Sequence, residues 1–201
     1  MTDAFALLGI SLVLCTALLT LLTAWSPANR QAVWAQWLTL LCFVMLWIPI
    51  GAADISVVAY IRGITADLSV TLIGLSAWQL GRRAMGWRTA PHREHMSVLA
   101  AVAGAALLLY PLALGWGDWD AYRPGWGSWG MLLALLVLCG GCFAKGLRLL
   151  PSLVALALLA WSFGLMESGN LWDYLIDPWL SIFALAFVFI KCINFLVVRF
   201  R

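Results

Sequence analysis

The sequence predicts an all-α protein, a polytopic transmembrane helix bundle of about seven spans with its N-terminus outside and its C-terminus in the cytoplasm. The first observation is composition: 64% of the 201 residues are hydrophobic and only 10% are charged, whereas soluble globular chains average about 25% charged residues. The second is that several apolar stretches approach the roughly 18 to 20 residues that cross a hydrocarbon core. The third is the distribution of charge between these stretches.

The apolar stretches define seven predicted spans: 4 to 25, 33 to 50, 65 to 81, 97 to 115, 130 to 149, 151 to 166 and 179 to 198. Within lipid each segment must satisfy its own backbone hydrogen bonds, so spans of this length are expected to be helical. The first stretch begins with Asp3 instead of a basic segment, which favours a membrane span over a secretory signal. Short connections predict one integral membrane domain over residues 1 to 201.

Threading the spans alternately across a bilayer separates the charges. Ten of the twelve cations fall on one side, which the positive-inside rule makes cytoplasmic: Arg30, Arg82, Arg83, Arg88, Arg93, Lys145, Arg148, Lys191, Arg199 and Arg201. Eight of the nine acids fall on the other side, and Glu94 is the exception: Asp3, Asp54, Asp67, Asp118, Asp120, Glu167, Asp173 and Asp177. The predicted location is therefore the cell inner membrane. All four tyrosines also fall on the outer side, where an ordinary aromatic belt explains most such residues.

Three outer segments carry the candidate binding residues, and the first covers residues 51 to 64. Helical spacing of Ile55, Val58 and Ile61 predicts an interfacial or re-entrant turn after Pro49. Arg62 then lies near the membrane surface, with Asp67 just inside the next span. Two interpretations stay open: an ion pair between helices, or a guanidinium that holds an anionic head group.

The second outer segment, residues 115 to 130, is a loop rich in glycine and tryptophan. Asp118 and Asp120 resemble the start of a calcium loop, but the later ligands of an EF-hand are missing. Tyr122 and Arg123 follow them. Rings flanked by carboxylates suit a sugar face, and an aromatic belt with a solvated acidic turn explains the same residues.

The third outer segment runs from residue 167 to residue 181. Asp177 before Pro178 is typical of an N-cap and first helical residue, so Asp177 is predicted to start the last span. A short surface helix over 170 to 176 would turn Leu171, Tyr174 and Leu175 toward lipid or protein. Asp173 would then face water or a partner, close to Glu167 and Trp172.

Several chemistries are excluded or weak. The only histidines, His92 and His95, lie in a basic inner loop, which argues against a haem or zinc site between helices. Cys139 and Cys142 enclose two glycines within a span, where close helix packing is the simpler explanation. Nucleophile and phosphate-loop motifs are absent. We therefore predict no metal, no cofactor and no nucleic-acid partner.

Three functions remain as hypotheses. The first is an accessory or scaffold subunit of cell-envelope machinery, embedded in the lipid bilayer, that presents an acidic and aromatic outer surface to a membrane or periplasmic protein partner or to a lipid-linked glycan. The second is a membrane-embedded transferase or hydrolase acting on a lipid head group, and the third is a small transporter. The candidate binding residues are Arg62, Asp67, Asp118, Asp120, Tyr122, Arg123, Glu167, Trp172, Asp173 and Tyr174.

Overall fold

The computed structural model describes residues 2–24, 33–84 and 90–199, and this part of the chain is all-helical apart from one small hairpin. Trp25, Arg30, Trp87, Arg88 and Arg201, which the sequence places at the inner boundary, lie outside the described residues. In chain order the elements are α1 (Thr2–Ala24), α2 (Val33–Leu46), β1 (Pro49–Ile50), β2 (Ile55–Ser56), α3 (Val57–Thr65), α4 (Val70–Ala84), α5 (His92–Ala113), a 3₁₀ turn (Arg123–Trp126), α6 (Trp129–Ala144), α7 (Leu149–Ser162), α8 (Leu171–Leu175) and α9 (Pro178–Arg199).

Three of these helices are long and apolar enough to cross a membrane: α1, α5 and α9. Helices α2, α6 and α7 are equally apolar but contain 14, 16 and 14 residues. At a rise of 1.5 Å per residue they extend only about 21 to 24 Å, less than a typical hydrocarbon core. The all-helical prediction is thus confirmed, and three helices are compatible with a membrane protein. The count of seven spans and the orientation stay predictions.

Three helices end earlier than their predicted spans, each of them two residues before a glycine with positive φ. Gly115, Gly146 and Gly164 follow α5, α6 and α7 with φ of 90°, 73° and 60°. After α6, Gly146 donates its amide to the Phe143 carbonyl and Leu147 donates to the Cys142 carbonyl. This pair of bonds is a Schellman motif, in which glycine is favoured because it tolerates positive φ. The motif closes the helix at Ala144, so the predicted span to residue 149 is too long.

Residues 51 to 64 are not one continuous turn of helix. Pro49–Ile50 and Ile55–Ser56 pair as a two-residue antiparallel hairpin, whose turn places Asp54 at φ 49°. Helix α3 begins only at Val57. The prediction that Ile55 shares a helix with Val58 and Ile61 is therefore wrong for Ile55, which lies in β2. Val58 and Ile61 do lie in α3, where Val58 is fully buried.

The next helix also begins later than predicted, at Val70 instead of residue 65. Ala66 has φ 57°, so the backbone leaves the helical conformation after α3, and residues 66 to 69 are not helical. Asp67 consequently lies in the connection before α4 and not inside a span. Ser69 caps α4, because its hydroxyl oxygen accepts the amide of Leu72 at 3.2 Å.

One buried carboxylate joins the starts of two helices that are 108 residues apart in sequence. Asp177 accepts the amide of Leu180 at 2.8 Å, so it is the N-cap of α9, and the sequence prediction is confirmed. Its second oxygen accepts the Ser69 amide at 3.0 Å and the Ser69 hydroxyl at 2.5 Å. Asp177 is 4% exposed. Its burial is offset because every donor that faces it is a hydrogen-bond partner.

A second carboxylate caps the start of a helix at the other end of the bundle. Glu94, in the first turn of α5, accepts the amides of Arg148 and Leu149 at 3.2 and 2.6 Å. These are the first amides of α7, which lack partners within their own helix. The one acid predicted on the cytoplasmic side is thus a helix cap.

Packing divides the core into two groups. Buried residues of α5, α7, α8 and α9 form the larger, and α1, α2 and α3 form the smaller. Helix α4 packs on both α1 and α7 and so connects them, whereas α6 packs mainly on α7. A Cβ added at Gly140 or Gly141 of α6 would meet no atom within 4 Å. The predicted close packing at this Cys-Gly-Gly-Cys segment is therefore wrong within the described residues.

We predict that Asp177→Ala lowers the free energy of unfolding by about 3 kcal/mol, since it leaves two helix starts and a buried hydroxyl without their acceptor. Asp177→Asn, which keeps one carbonyl oxygen, should cost less. Thermal unfolding of the detergent-purified protein measures both. Asp118→Asn is the control, because the exposed Asp118 side chain makes no hydrogen bond within the described residues. A native melting temperature for Asp177→Ala would contradict this role.

Candidate functional site

A cavity lies at the end of the bundle where α1, α4 and α9 begin and α3 and α5 end, and we call it the acidic cavity. It has a volume of about 1110 Å³. Five carboxyl groups and one guanidinium line it: Asp3, Asp67, Glu167, Asp173, Asp177 and Arg62. Tyr110 and Tyr122 add two phenol groups to its wall. Acidic side chains are therefore concentrated in an open cavity whose wall is otherwise mainly apolar.

Arg62 is the centre of an ion-pair cluster in this cavity. Its Nε donates to Asp67 at 2.7 Å, and its two terminal nitrogens donate to Asp3 and Glu167, each at 2.6 Å. The three acids come from α1, the α3–α4 connection and the segment after α7. The hydrogen bonds that Arg62 donates to Asp67 and then to Asp3 raise the pKa of Arg62 above its already high value. Every nitrogen of the guanidinium is thus engaged by a carboxylate.

Exposure separates the three partners of Arg62. The Asp67 side chain is 17% exposed, but those of Asp3 and Glu167 are 74% and 65% exposed. The Arg62–Asp67 pair therefore lies in the wall of the cavity and holds α3 against the start of α4. Asp3 and Glu167 form its rim, where their oxygens remain accessible to a ligand.

Asp173 forms a second polar group on the opposite side of the cavity. Its Oδ2 accepts the hydroxyl of Tyr122 at 2.5 Å and also the hydroxyl of Ser168. Burial, and then the neighbouring Asp173, raise the pKa of Tyr122 above its usual range, so the phenol stays neutral and donates. Within the described residues Asp173 Oδ1 accepts no hydrogen bond. This oxygen is available to a donor that enters the cavity.

A buried framework fixes the loop that carries Asp173. Tyr174 is fully buried, and its hydroxyl bonds the Met166 amide and the Ser168 carbonyl, each at 3.1 Å. Trp172 donates its indole N–H to the Ala121 carbonyl at 3.0 Å. The predicted short helix is present as α8, and its apolar residues Leu171, Tyr174 and Leu175 are buried, so of the two predicted environments they face protein and not lipid. Tyr174 and Trp172 position the loop.

Close backbone approach explains one glycine of the neighbouring loop. Asn170 caps α8 through the Trp172 amide and donates its side-chain amide to the Tyr122 carbonyl at 3.1 Å. A Cβ on Gly125 would collide with the Asn170 side chain and lie 2.6 Å from Trp172. Glycine here lets the 3₁₀ turn lie directly on α8, and this contact brings Tyr122 to Asp173.

The remaining predicted residues lie outside the acidic cavity. Asp118 and Asp120 line a neighbouring cavity of about 460 Å³, which we call the loop cavity. Asp120 accepts the amides of Tyr122 and Arg123 at 2.9 and 3.2 Å and so caps the 3₁₀ turn. Arg123 is exposed and does not line the acidic cavity. No group of three metal-ligating side chains occurs among the described residues.

Sequence reasoning missed Asp3 and Ser168 as members of this site. Asp3 was recognised only as an acid before the first span, although threading already placed it on the same side as Arg62. Ser168 carried no signal, because its role depends on Asp173 five residues later and on the turn between them.

Comparison of the chain with protein-family models, curated proteins and solved structures gives no match. The chemistry of the site follows from its own geometry alone. A cavity with five carboxyl groups and one fully engaged guanidinium suits a cationic ligand. An anionic head group would have to displace carboxylates from Arg62, which are already paired at short distance.

We predict that double-mutant cycles give a larger coupling energy for the Arg62–Asp67 pair in the wall of the cavity than for the Arg62–Asp3 pair at its rim. Arg62→Gln with Asp67→Asn should show a coupling of about 1.5 to 3 kcal/mol, as expected for a charged hydrogen bond away from bulk water. Arg62→Gln with Asp3→Asn should show less than about 1 kcal/mol, because exposed pairs are screened. Chemical unfolding in detergent provides the four free energies of each cycle. Equal couplings would contradict the distinction.

We also predict a pH effect of Tyr122. Its pKa is higher in the folded than in the unfolded protein, where it lies near 10. The phenol is neutral in both states below pH 10, so stability from this group is full there and is lost as the pH rises from 10 toward the folded pKa. The Tyr122→Phe variant should lose less stability than the native protein between pH 9.5 and 11, measured by thermal unfolding. Parallel losses would exclude the effect.

Proposed function

We propose that the protein is a multi-pass protein of the cell inner membrane, with seven helices (α1, α2, α4, α5, α6, α7 and α9) in the bilayer and the acidic cavity on the outer face. Large apolar side chains on its surface support this location, and examples are Leu107, Val137, Ile182 and Phe189, which are 64%, 73%, 64% and 66% exposed. Surfaces of this kind are stable in lipid and not in water. The shorter helices α2, α6 and α7 fit if the bilayer thins locally or flanking residues reach its interfaces.

Within that membrane we propose a non-catalytic accessory subunit of cell-envelope machinery, whose acidic cavity receives a cationic segment of a partner protein. The observation that carries this function is the imbalance of charge in the acidic cavity, where five carboxyl groups face one guanidinium. A lysine or arginine side chain that enters would meet complementary charge, which steers association and fixes register.

The positions of the acceptors support binding of a donor-rich cation. Asp3 and Glu167 lie at the rim, and Asp173 Oδ1 lies deeper without a donor among the described residues. A guanidinium or ammonium group that enters would donate hydrogen bonds to the rim carboxylates and to Asp173 Oδ1. Tyr110 and Tyr122 provide ring faces in the same wall.

The alternative of a head-group transferase or hydrolase needs a free guanidinium for phosphate and a base close to a nucleophile. Arg62 is engaged by three carboxylates, and Arg123 lies outside the cavity. Ser168 accepts the Asn170 amide while it donates to Asp173, which is the geometry of a loop turn. These contacts favour the binding subunit over the enzyme, and no described contact favours the small transporter.

Capture from native membranes tests this function. A photo-crosslinker at Met166, which lines the acidic cavity, should trap a partner peptide containing lysine or arginine. The Glu167→Gln, Asp173→Asn double variant should reduce the yield at least fivefold, because it removes charge from rim and depth while keeping the side-chain shapes. The yield should also fall with added salt.

Asp54→Asn is the matched control for this experiment. Asp54 is an exposed acid of the hairpin turn, outside the acidic cavity, and asparagine tolerates its positive φ. It should capture the partner as well as the native protein does. Equal loss with the control, or a cross-linked peptide without cationic residues, would overturn the proposed function.

A further inference from the structure

A separate apolar groove runs along the side of the bundle between α5 and α6, and we call it the lateral groove. It has a volume of about 610 Å³ and a mainly apolar lining. Its walls are formed by small residues, Gly104 and Ala105 on α5 and Gly130 and Ala134 on α6, and Leu153 of α7 lies at its floor. The groove exists because α6 packs mainly on α7 and leaves the α5 side uncovered.

The lateral groove borders the loop cavity, and the loop cavity borders the acidic cavity. Trp119 lines both the lateral groove and the loop cavity, and Tyr122 lines both the loop cavity and the acidic cavity. Asp118 stands in the loop cavity beside Trp119, and its carboxylate has no hydrogen bond or ion pair within the described residues. One end of the lateral groove thus borders a cavity that holds a carboxylate without a partner among the described residues.

Length and charge together favour a lipid chain as the occupant. Lining residues from Ala100 to Leu108 of α5 extend the groove over about 12 Å at 1.5 Å per residue. A hydrocarbon chain that lies along these apolar walls carries its head group at one end, next to the loop cavity that holds Asp118.

We propose that the lateral groove binds one hydrocarbon chain of a membrane phospholipid with a primary-amine head group, whose ammonium lies against Asp118. The chain supplies contact with the apolar walls, and the ammonium supplies charge for the free carboxylate. Trp119 lies where the two parts meet, as amphipathic rings do at a membrane interface. This inference rests on the proposed membrane location but not on capture of a protein partner.

Lipid retention by the detergent-purified protein tests the inference. The protein is incubated with phosphatidylethanolamine and phosphatidylglycerol of identical acyl chains, and bound lipid is counted by native mass spectrometry. The native protein should retain at least five times more phosphatidylethanolamine. Asp118→Asn should keep lipid binding but lose this preference, since it removes the charge and not the groove.

Two glycine substitutions provide the matched comparison for the groove itself. A Cβ at Gly104 or at Gly140 meets no atom within 4 Å, and both glycines are exposed helical positions where leucine is a better helix former. Gly104→Leu fills the groove and should reduce retention of both lipids at least tenfold. Gly140→Leu lies outside the groove and should retain lipid like the native protein.

Ala134→Leu, on the opposite wall, repeats the test if Gly104→Leu does not give a native melting transition. Equal retention of the two lipids by the native protein, or equal retention by both leucine variants, would overturn the inference. The result is distinguishable from failure of the proposed subunit function, because lipid is counted on the purified protein and no partner is needed. Loss of partner capture with intact lipid retention would leave this site standing.

Discussion

The amides that open each helix need acceptors, and this constraint organises the acidic end of the bundle. Water does not supply acceptors within lipid, so side chains must. Asp177 serves α9 and, through Ser69, the start of α4. Ser128 serves α6 and Asn170 serves α8 in the same way. Because the Asp177 carboxylate is shared, the starts of α4 and α9 are held together, and the floor of the acidic cavity is held with them.

The same constraint gives the segregation of acids a cause that does not depend on membrane orientation. A carboxylate is stabilised near the positive end of a helix macrodipole. Asp3 lies in the first turn of α1, and Asp177 precedes α9. Glu94, at the opposite end, lies where α5 and α7 begin. Acids therefore stand at helix starts at both ends, and Glu94, the exception to the charge pattern, obeys the same physical rule as Asp3 and Asp177.

The sequence was sufficient for features that depend on neighbours in the chain. The apolar runs predicted the helices, and Asp177 before Pro178 predicted the start of α9. It was insufficient where the determinant is distant: Ser69 meets Asp177 across 108 residues, and Arg62 meets Glu167 across 105. It also failed for the two-residue hairpin and the turn at Ala66, where positive φ at a non-glycine residue leaves no compositional signal. Local chemistry thus predicted the helices, and only the fold shows which side chains share a cavity.

Helix starts and Arg62 together compensate some carboxylates but not all of them. Asp177 has its capping amides, and Asp67 has a partly buried guanidinium. Glu167 follows the end of α7, and Asp118 lies between α5 and the 3₁₀ turn, so neither stands at a helix start. Glu167 shares Arg62 with two other acids, and Asp118 has no partner among the described residues. Like charges held close together repel unless a cation joins them. Glu167 and Asp118 are therefore among the acids at which the two proposals place a cation from outside the chain.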